Sequence, residues 1–380
     1  MVLFVVRRGK LIKNTYSPPL IRTITQKLRI GRAFYVLLLF VPISILLFLF
    51  SKEDTLIFLT SILAIIPLAR IMGYSTKEIS LQTNPTISGL LSATFGNAIE
   101  LIIAIFALRA GLIEVVQASI IGSIIGNILF LVGISIFAGG LRHKTQRFNN
   151  ETIGVSSTML IIVVAGLAIP SVYYVLTPQS SVHIQLLSAA VAIVMTLIYI
   201  AGLVFSLRTH RDLFDASDEM KATHEKPMMS KRFAALTLLV TFLVVSIESE
   251  LLVGAIEHAA AAIGITQMFI GLVVIALITN IAEISTAIHF AREDKLDVSI
   301  EIGLSSAIQI SLFVVPILML VSSVFVLNFS LVFPPFAILA VMLAVLIVNY
   351  LSADGRCNWL EGAQLISVYC IIAIAFFFIA

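Results

Sequence analysis

Long apolar runs separated by short polar connections fill the chain after its N-terminal stretch. Each run is long enough to cross the hydrocarbon core of a bilayer as a helix, which takes about 20 residues. None shows the short-period alternation that is typical of a transmembrane β-barrel. The pattern therefore predicts an all-α polytopic membrane protein with eleven transmembrane helices, at 34–50, 55–72, 86–108, 114–138, 152–171, 183–207, 232–254, 267–290, 297–325, 332–351 and 360–379.

The basic residues follow this helix pattern. If the N-terminus is cytoplasmic, 22 of the 24 Lys and Arg residues fall in segments predicted on the cytoplasmic side, and Lys52 and Arg109 fall on the other. Membrane proteins concentrate Lys and Arg in this way, so the distribution supports both the helix number and the orientation. Residues 1–33 are basic and lack acidic residues. They predict a cytoplasmic tail, although an organelle transit peptide has a similar composition.

Composition excludes several classes of protein. The 380 residues are 59% hydrophobic and 12% charged, whereas a soluble domain is about a quarter charged. The two cysteines have no metal-binding spacing, and the H-E-x-x-H and G-x-S-x-G motifs of hydrolases are absent. The basic residues are explained by membrane topology. The sequence thus predicts neither an enzyme, nor a cofactor, nor a nucleic-acid partner, and the lipid bilayer is the expected surroundings.

Two apolar runs carry the same pair of polar residues. Asn97 and Glu100 lie in the third predicted helix, and Asn280 and Glu283 lie in the eighth. When the sequence is aligned with itself so that Asn97 falls on Asn280, Ser123 also falls on Ser306. The first helix is then followed by two sets of five helices, which must enter the membrane from opposite sides because five is odd. Such inverted repeats bind substrate at their interface near the bilayer midplane. The predicted division is a tail (1–33), a first helix (34–50), a first repeat (51–207), a connector (208–231) and a second repeat (232–380).

The carboxylates of Glu100 and Glu283 suggest the chemistry of the site. No Lys or Arg lies at their predicted depth, where an ionised carboxylate costs several kcal/mol. Such a carboxylate is either protonated or paired with a mobile cation. A site that allows both is a proton–cation exchanger, and two carboxylates balance one divalent ion or two protons.

Neutral oxygen donors on the following helices suit a hard cation such as Ca²⁺. No His or Cys stands beside either pair, which argues against a site for Zn²⁺ or copper. The predicted metal ligands are Glu100, Glu283, Asn97 and Asn280. The predicted supporting residues are Ser119, Ser123 and Asn127 in the fourth helix and Ser306 and Gln309 in the ninth.

The connector is acidic. Asp212, Asp215 and Glu219 fall on one helical face, with Asp218 between them. Either it is a solvated linker, or it is a cytoplasmic helix that gathers or senses divalent cations. The calcium loop of an EF-hand is absent.

Three stretches resemble the CAX family of Ca²⁺/H⁺ antiporters. They are GNAIE at 96–100 with VVQASIIGSIIGN at 115–127, TNIAE at 279–283 with SSAIQISLFVVP at 305–316, and DGRCNWLEGA at 354–363. The resemblance implies that Glu100 and Glu283 bind Ca²⁺ and exchange it for protons, supported by Asn97, Asn280, Ser123, Asn127, Ser306 and Gln309. It also implies that the second and seventh helices move to alternate access, and that the connector matches an acidic cytosolic helix.

Two positions depart from the family pattern. Thr279 replaces a common Gly, and Ile284 replaces a common His, which leaves the cation preference and proton stoichiometry open. The prediction is a secondary active antiporter that exports Ca²⁺ from the cytosol in exchange for H⁺ by alternating access. The alternatives are an exchanger of Mn²⁺, Na⁺ or K⁺ for H⁺, a Na⁺-coupled calcium exchanger, and a passive cation channel. Compact loops favour a prokaryotic plasma membrane over a vacuolar or other organelle membrane.

Overall fold

The computed structural model describes residues 32–51, 53–177, 181–210, 227–325, 327 and 329–379. Nearly all of the basic tail lies outside these residues. The acidic residues of the connector, Asp212, Asp215, Asp218 and Glu219, also lie outside them. Both assignments therefore stay predictions.

Helices make up nearly all of the described chain. In order they are α1 (Arg32–Leu38 and Phe40–Phe50), α2 (Asp54–Ser80), α3a (Pro85–Phe95), α3b (Ala98–Arg109), α4 (Ile113–Gly140), α5 (Asn150–Leu176), α6 (Val182–Thr209), α7 (Lys231–Ile263), α8a (Gln267–Thr279), α8b (Ile281–Arg292), α9 (Leu296–Phe325), α10 (Pro335–Leu351) and α11 (Trp359–Phe378). Seven of these helices are long and apolar enough to cross a membrane, or nine if each bent pair counts as one span. The order agrees with the prediction from sequence, while the number of eleven spans stays a prediction.

Both helices that carry Asn-x-x-Glu are broken at the Asn. α3a and α3b meet at an angle of 41°, and α8a and α8b meet at 55°. Asn97 and Asn280 are the N-cap residues of the second halves and have non-helical backbone angles. The prediction of continuous helices over 86–108 and 267–290 is therefore wrong. Hydropathy does not register such a break, because the residues on either side of it remain apolar.

α2 and α7 pack along each other and form a pair that reaches both broken helices. α7 contacts α3b, and α2 contacts α8b and the end of α8a. α1 packs against α2 and α7. This pair therefore connects the first helix, which lies outside the repeats, to the elements that carry Asn-x-x-Glu.

A two-stranded antiparallel sheet joins distant loops. β1 (Gln146–Arg147) follows α4 and pairs with β2 (Arg356–Cys357), which precedes α11. The Gln146 side chain donates to the backbone oxygen of Ala291 at 2.7 Å. The sheet thus fixes the ends of α4, α8b and α11 to one another.

Glycines allow α4 and α8a to cross at very short range. A methyl group at Gly122 would collide with the Leu272 carbonyl, and one at Gly271 would lie 2.8 Å from the Ala118 side chain. α3a, the equivalent half-helix of the first repeat, leaves Ile87 and Leu90 about half exposed. The two half-helices therefore differ in packing, although α3a also makes a close contact, with Leu207 at Gly89.

We expect Gly122→Ala to lower the thermal unfolding temperature of the purified protein in detergent. The added methyl group forces α4 and α8a apart, and overpacking of this kind costs about 1–3 kcal/mol. Gly126→Ala is the matched control, since nothing lies within 4 Å of a methyl group there. Equal unfolding temperatures for the two variants would contradict this account of the helix crossing.

Candidate functional site

A chain of hydrogen bonds joins the two halves of the protein at the first break. The Asn97 side-chain amide donates to Gln309 Oε1 at 2.8 Å, and Ser306 Oγ donates to Asn97 Oδ1 at 3.0 Å. The Asn127 amide donates to Ser306 Oγ at 2.9 Å. Asn97, Asn127 and Ser306 are buried. The structure thus brings together four of the predicted residues, two from each half.

Glu100 lines a small cavity directly after this break. The cavity has room for about one water molecule. Its polar wall includes Ser119 and Ser123 of α4, and its apolar wall includes Ala104 and Ile275. The buried Thr279 side chain lies near Glu100, and its hydroxyl donates to the Ala276 backbone oxygen at 3.3 Å. The second half therefore contributes directly to the surroundings of Glu100.

Glu283 lies after the second break and close enough to Glu100 for their charges to repel. Both carboxyl groups belong to half-buried residues in the first turn of a helix. The free N–H groups there stabilise negative charge, although typically by only about 0.3–1 kcal/mol. This stabilisation offsets only part of the cost of burying two like charges.

Oxygens around both breaks have no hydrogen-bond partner among the described residues. They are the buried atoms Asn127 Oδ1 at the first break and Asn280 Oδ1 and Glu283 Oε2 at the second. The Asn280 amide donates to the Ala276 backbone oxygen at 2.8 Å, so its carbonyl oxygen is the unpaired end. Buried polar groups are normally paired, so unpartnered oxygens near two carboxylates are suited to ligating a cation or accepting a hydrogen bond from a protonated carboxyl group.

Fixed positive charge does not fill this role in the described part of the chain. The ion pairs there are His258 with Asp54 and His289 with Glu293, and neither involves Glu100 or Glu283. Within the same residues, no cluster of three or more His, Cys, Asp or Glu could hold a metal. A bound cation would therefore also need the amide, hydroxyl and backbone oxygens of the site.

Some features of the site and its surroundings were not predicted from sequence. From the sequence, Thr279 is only a departure from the family pattern, yet the structure places it near Glu100. Two further carboxylates lie inside helices without an assigned role. Glu248 is bonded to Ser44, and Glu301 accepts from Ser156 at 3.0 and 3.1 Å. In the sequence, the feature that distinguishes these two glutamates is their position within long apolar runs.

Comparison with known proteins identifies the family. The family model for sodium/calcium exchanger proteins matches residues 53–208 and 233–378. The chain belongs to this exchanger family. A Ca²⁺/H⁺ antiporter from Synechocystis is 42% identical over 365 residues, which is 92% of this chain and 98% of that protein. The Ca²⁺/H⁺ antiporter ChaA of Bacillus subtilis is 38% identical over 351 residues, covering 91% of this chain and 99% of the relative.

Solved structures of exchangers have the same fold. The structure of native YfkE aligns with a TM-score of 0.79 at 36% identity, covering 91% of this chain and 99% of the other. The crystal structure of the H⁺/Ca²⁺ exchanger CAX aligns with a TM-score of 0.62 at 17% identity, covering 94% and 92% of the two chains. The predicted all-α membrane fold with inverted repeats and the resemblance to the CAX family are thereby confirmed.

We expect Ser306→Ala to destabilise this exchanger family member in detergent. It leaves the Asn97 carbonyl and the Asn127 amide without a buried partner, which costs about 1–3 kcal/mol for an unsatisfied group. Thermal unfolding followed by circular dichroism measures the effect. The matched control is Ser305→Ala, because the Ser305 hydroxyl makes only a local bond of 3.4 Å to Ile302. A Ser306→Ala protein as stable as the control would contradict the hydrogen-bond chain as a structural link.

Proposed function

We propose that this chain is a secondary active antiporter that moves Ca²⁺ across a membrane in exchange for H⁺. The observation that carries the proposal is the pair Glu100 and Glu283, held near each other without a fixed cation in the described residues. The bacterial relatives named Ca²⁺/H⁺ antiporter and the similarity to YfkE support it. On this proposal the chain is a transporter rather than an enzyme and needs no cofactor.

Competition for negative charge provides the coupling between the two ions. Ca²⁺ requires both carboxylates to be ionised and takes six to eight oxygens in a flexible arrangement. When Ca²⁺ leaves, two close carboxylates cannot both stay ionised at low dielectric, so protons replace it. Two protons for one Ca²⁺ leave the charge of the site unchanged. The simplest stoichiometry at this site is therefore two protons for each Ca²⁺.

The hydrogen bonds suggest different roles for the two asparagines. Both ends of the Asn97 amide are occupied by Gln309 and Ser306, so Asn97 positions the break and connects the repeats. The unpaired Asn280 oxygen suits a cation ligand next to Glu283. We assign Ser123 a similar role beside Glu100, since its hydroxyl lies in the wall of the same cavity.

Unequal packing of the half-helices supports alternating access. α8a crosses α4 at very short range at Gly122 and Gly271, whereas Ile87 and Leu90 of α3a are about half exposed. We propose that α2 and α7 move together relative to the rest and reverse this difference. Because the repeats are inverted, exchanging their two conformations exposes the same site to the other side.

The membrane and orientation are also part of the proposal. The relatives from Synechocystis and Bacillus subtilis favour a bacterial plasma membrane. The distribution of Lys and Arg places the N-terminus in the cytosol. Protons entering the cytosol then drive the export of Ca²⁺. The two inverted repeats are residues 51–207 and 232–380.

We expect Glu100→Gln and Glu283→Gln each to reduce transport by about 100-fold or more. Glutamine keeps the shape but not the charge, and removing one partner of a buried ion pair costs about 3–5 kcal/mol. Calcium-dependent proton movement in proteoliposomes with an imposed pH gradient measures the effect. Glu250→Gln on the exposed face of α7 is the control and should transport normally. Normal exchange by both site variants would refute the proposed site.

We expect Thr279→Val to weaken the apparent affinity for Ca²⁺ by about fivefold. Valine has a similar shape but lacks the hydroxyl that lies near Glu100, and loss of one polar group from the surroundings of a charged ligand costs about 1 kcal/mol. The Ca²⁺ dependence of the initial proton flux measures the affinity, and Thr279→Ser is the conservative control. Competition by Mn²⁺, Na⁺ and K⁺ in the same assay separates the alternative cations. An unchanged affinity in the valine variant would remove Thr279 from the site.

A further inference from the structure

A third carboxyl group lies away from this site, where α1, α2 and α7 meet. Glu248 of α7 is completely buried, and its Oε1 atom lies 2.7 Å from the Ser44 hydroxyl of α1. The Ser61 hydroxyl of α2 lies beside the same carboxyl group. Ser44 and Ser61 are also fully buried. Three helices therefore contribute one polar side chain each to a single enclosed position.

Counting hydrogens indicates a proton on Glu248 in this arrangement. Ser44 Oγ lies 2.8 Å from the Val41 backbone oxygen as well as 2.7 Å from Glu248 Oε1. A hydroxyl has one hydrogen but accepts at two lone pairs. It cannot fully satisfy both a carbonyl and an ionised carboxylate, because both only accept. If Glu248 is protonated, its O–H donates and Ser44 is free to donate to Val41.

The other polar atoms around Glu248 can bind such a proton or accept a hydrogen bond from it. Within the described chain, Glu248 Oε2 and Ser61 Oγ are both buried without a hydrogen-bond partner. A hydrogen on either carboxyl oxygen has a hydroxyl oxygen nearby to accept it. An ionised Glu248 would instead hold a full negative charge in a completely buried position with at most two serine hydroxyls as donors and no ion pair among the described residues, which costs at least several kcal/mol.

Several other charged side chains on these helices either have a partner away from Glu248 or are exposed. Asp54 pairs with His258 at 3.2 Å, Arg70 lies over the Phe34 ring, Arg109 lies over the Phe106 ring, and Glu250 and Glu257 are exposed. At the other end of α2, Glu78 accepts from the backbone N–H groups of Met228 and Met229. No ion pair of Glu248 is present in the described part of the chain. A proton is thus the charge-balancing partner that fits the position.

We propose that Glu248 is a third proton-binding carboxyl group of the transport cycle. This inference rests on the proposed Ca²⁺/H⁺ antiport. In the arrangement described here the proton is bound, and the carboxylic acid links α7 to Ser44 of α1. When α2 and α7 shift relative to α1, Glu248 meets water, its O–H bond breaks, and the proton passes to water. When the helices return, the carboxylate takes up a proton from water on the opposite side of the membrane, so that one proton crosses in each cycle.

The packing connects this step to the ion site. α7 contacts α3b, which carries Glu100, while α2 contacts α8b, which carries Glu283. A shift of the α2–α7 pair therefore changes the surroundings of all three carboxyl groups. Each cycle then moves one proton more than the pair of site carboxylates accounts for.

The coupling ratio of the full-length protein tests this inference. In proteoliposomes with a fixed pH gradient, the Ca²⁺ gradient at which net flux stops gives the number of protons per Ca²⁺. Glutamine mimics the protonated acid, so Glu248→Gln should remain active with one proton fewer and a flatter pH dependence. Glu250→Gln on the same helix should keep the wild-type ratio. An active Glu248→Gln protein with the wild-type ratio and pH dependence would show a permanently protonated structural acid and overturn the inference.

A spectroscopic measurement decides the question without transport. The carbonyl stretch of a protonated carboxylic acid is followed by infrared spectroscopy as pH rises, comparing Glu100→Gln with Glu100→Gln/Glu248→Gln. We expect a band that is missing in the double variant and disappears over the pH range of transport. A Glu248 band at every pH, or none at any pH, would overturn the inference. Ser44→Ala should shift the band if Glu248→Gln does not fold. Failure of wild-type exchange would refute the antiport while leaving this readout intact.

Discussion

The repulsion between two carboxylates in a region of low dielectric is the constraint on which the rest of this structure depends. Glu100 and Glu283 lie close together, and no fixed cation of the described residues is paired with either of them. Their charge must therefore be balanced by something that arrives and leaves. A divalent cation and a pair of protons are equivalent in charge, which makes an exchanger the natural consequence of this site.

The helices around the site are arranged to keep that competition in place. Breaks at Asn97 and Asn280 place each glutamate in the first turn of a helix, where the N–H groups partly stabilise its negative charge. The chain from Gln309 through Asn97 and Ser306 to Asn127 links the two halves. α4 and α8a cross at very short range at Gly122. Close helix contacts and hydrogen bonds thus surround the two carboxylates of the proposed site.

Much of this organisation could be predicted from the sequence. Membrane helices are long apolar runs, so the few polar residues within them are easily recognised. Repeated Asn-x-x-Glu pairs identified Glu100 and Glu283, and the spacing of polar residues on the next helices indicated Ser123 and Ser306. The structure places two of the residues predicted to support the cation site, Gln309 and Ser306, within hydrogen-bonding distance of Asn97.

The remaining features depend on packing between distant segments. Hydropathy does not reveal the breaks at Asn97 and Asn280. It is averaged over about 20 residues, and one or two polar residues leave that average apolar. Thr279 and Ser44 gain meaning only from the carboxylates that the fold brings to them. The acidic residues of the connector, from Asp212 to Glu219, lie outside the described residues and keep their two interpretations.

The central claim is that Ca²⁺ and protons compete for the same two carboxylates. Its most direct test is the number of protons released when Ca²⁺ binds to the purified protein. Calorimetric titrations in buffers of different ionisation enthalpy give this number without any membrane. We predict release of about two protons per Ca²⁺ at a pH where the empty site is protonated, and loss of Ca²⁺ binding in Glu283→Gln. Binding of Ca²⁺ at that pH without proton release would contradict the account.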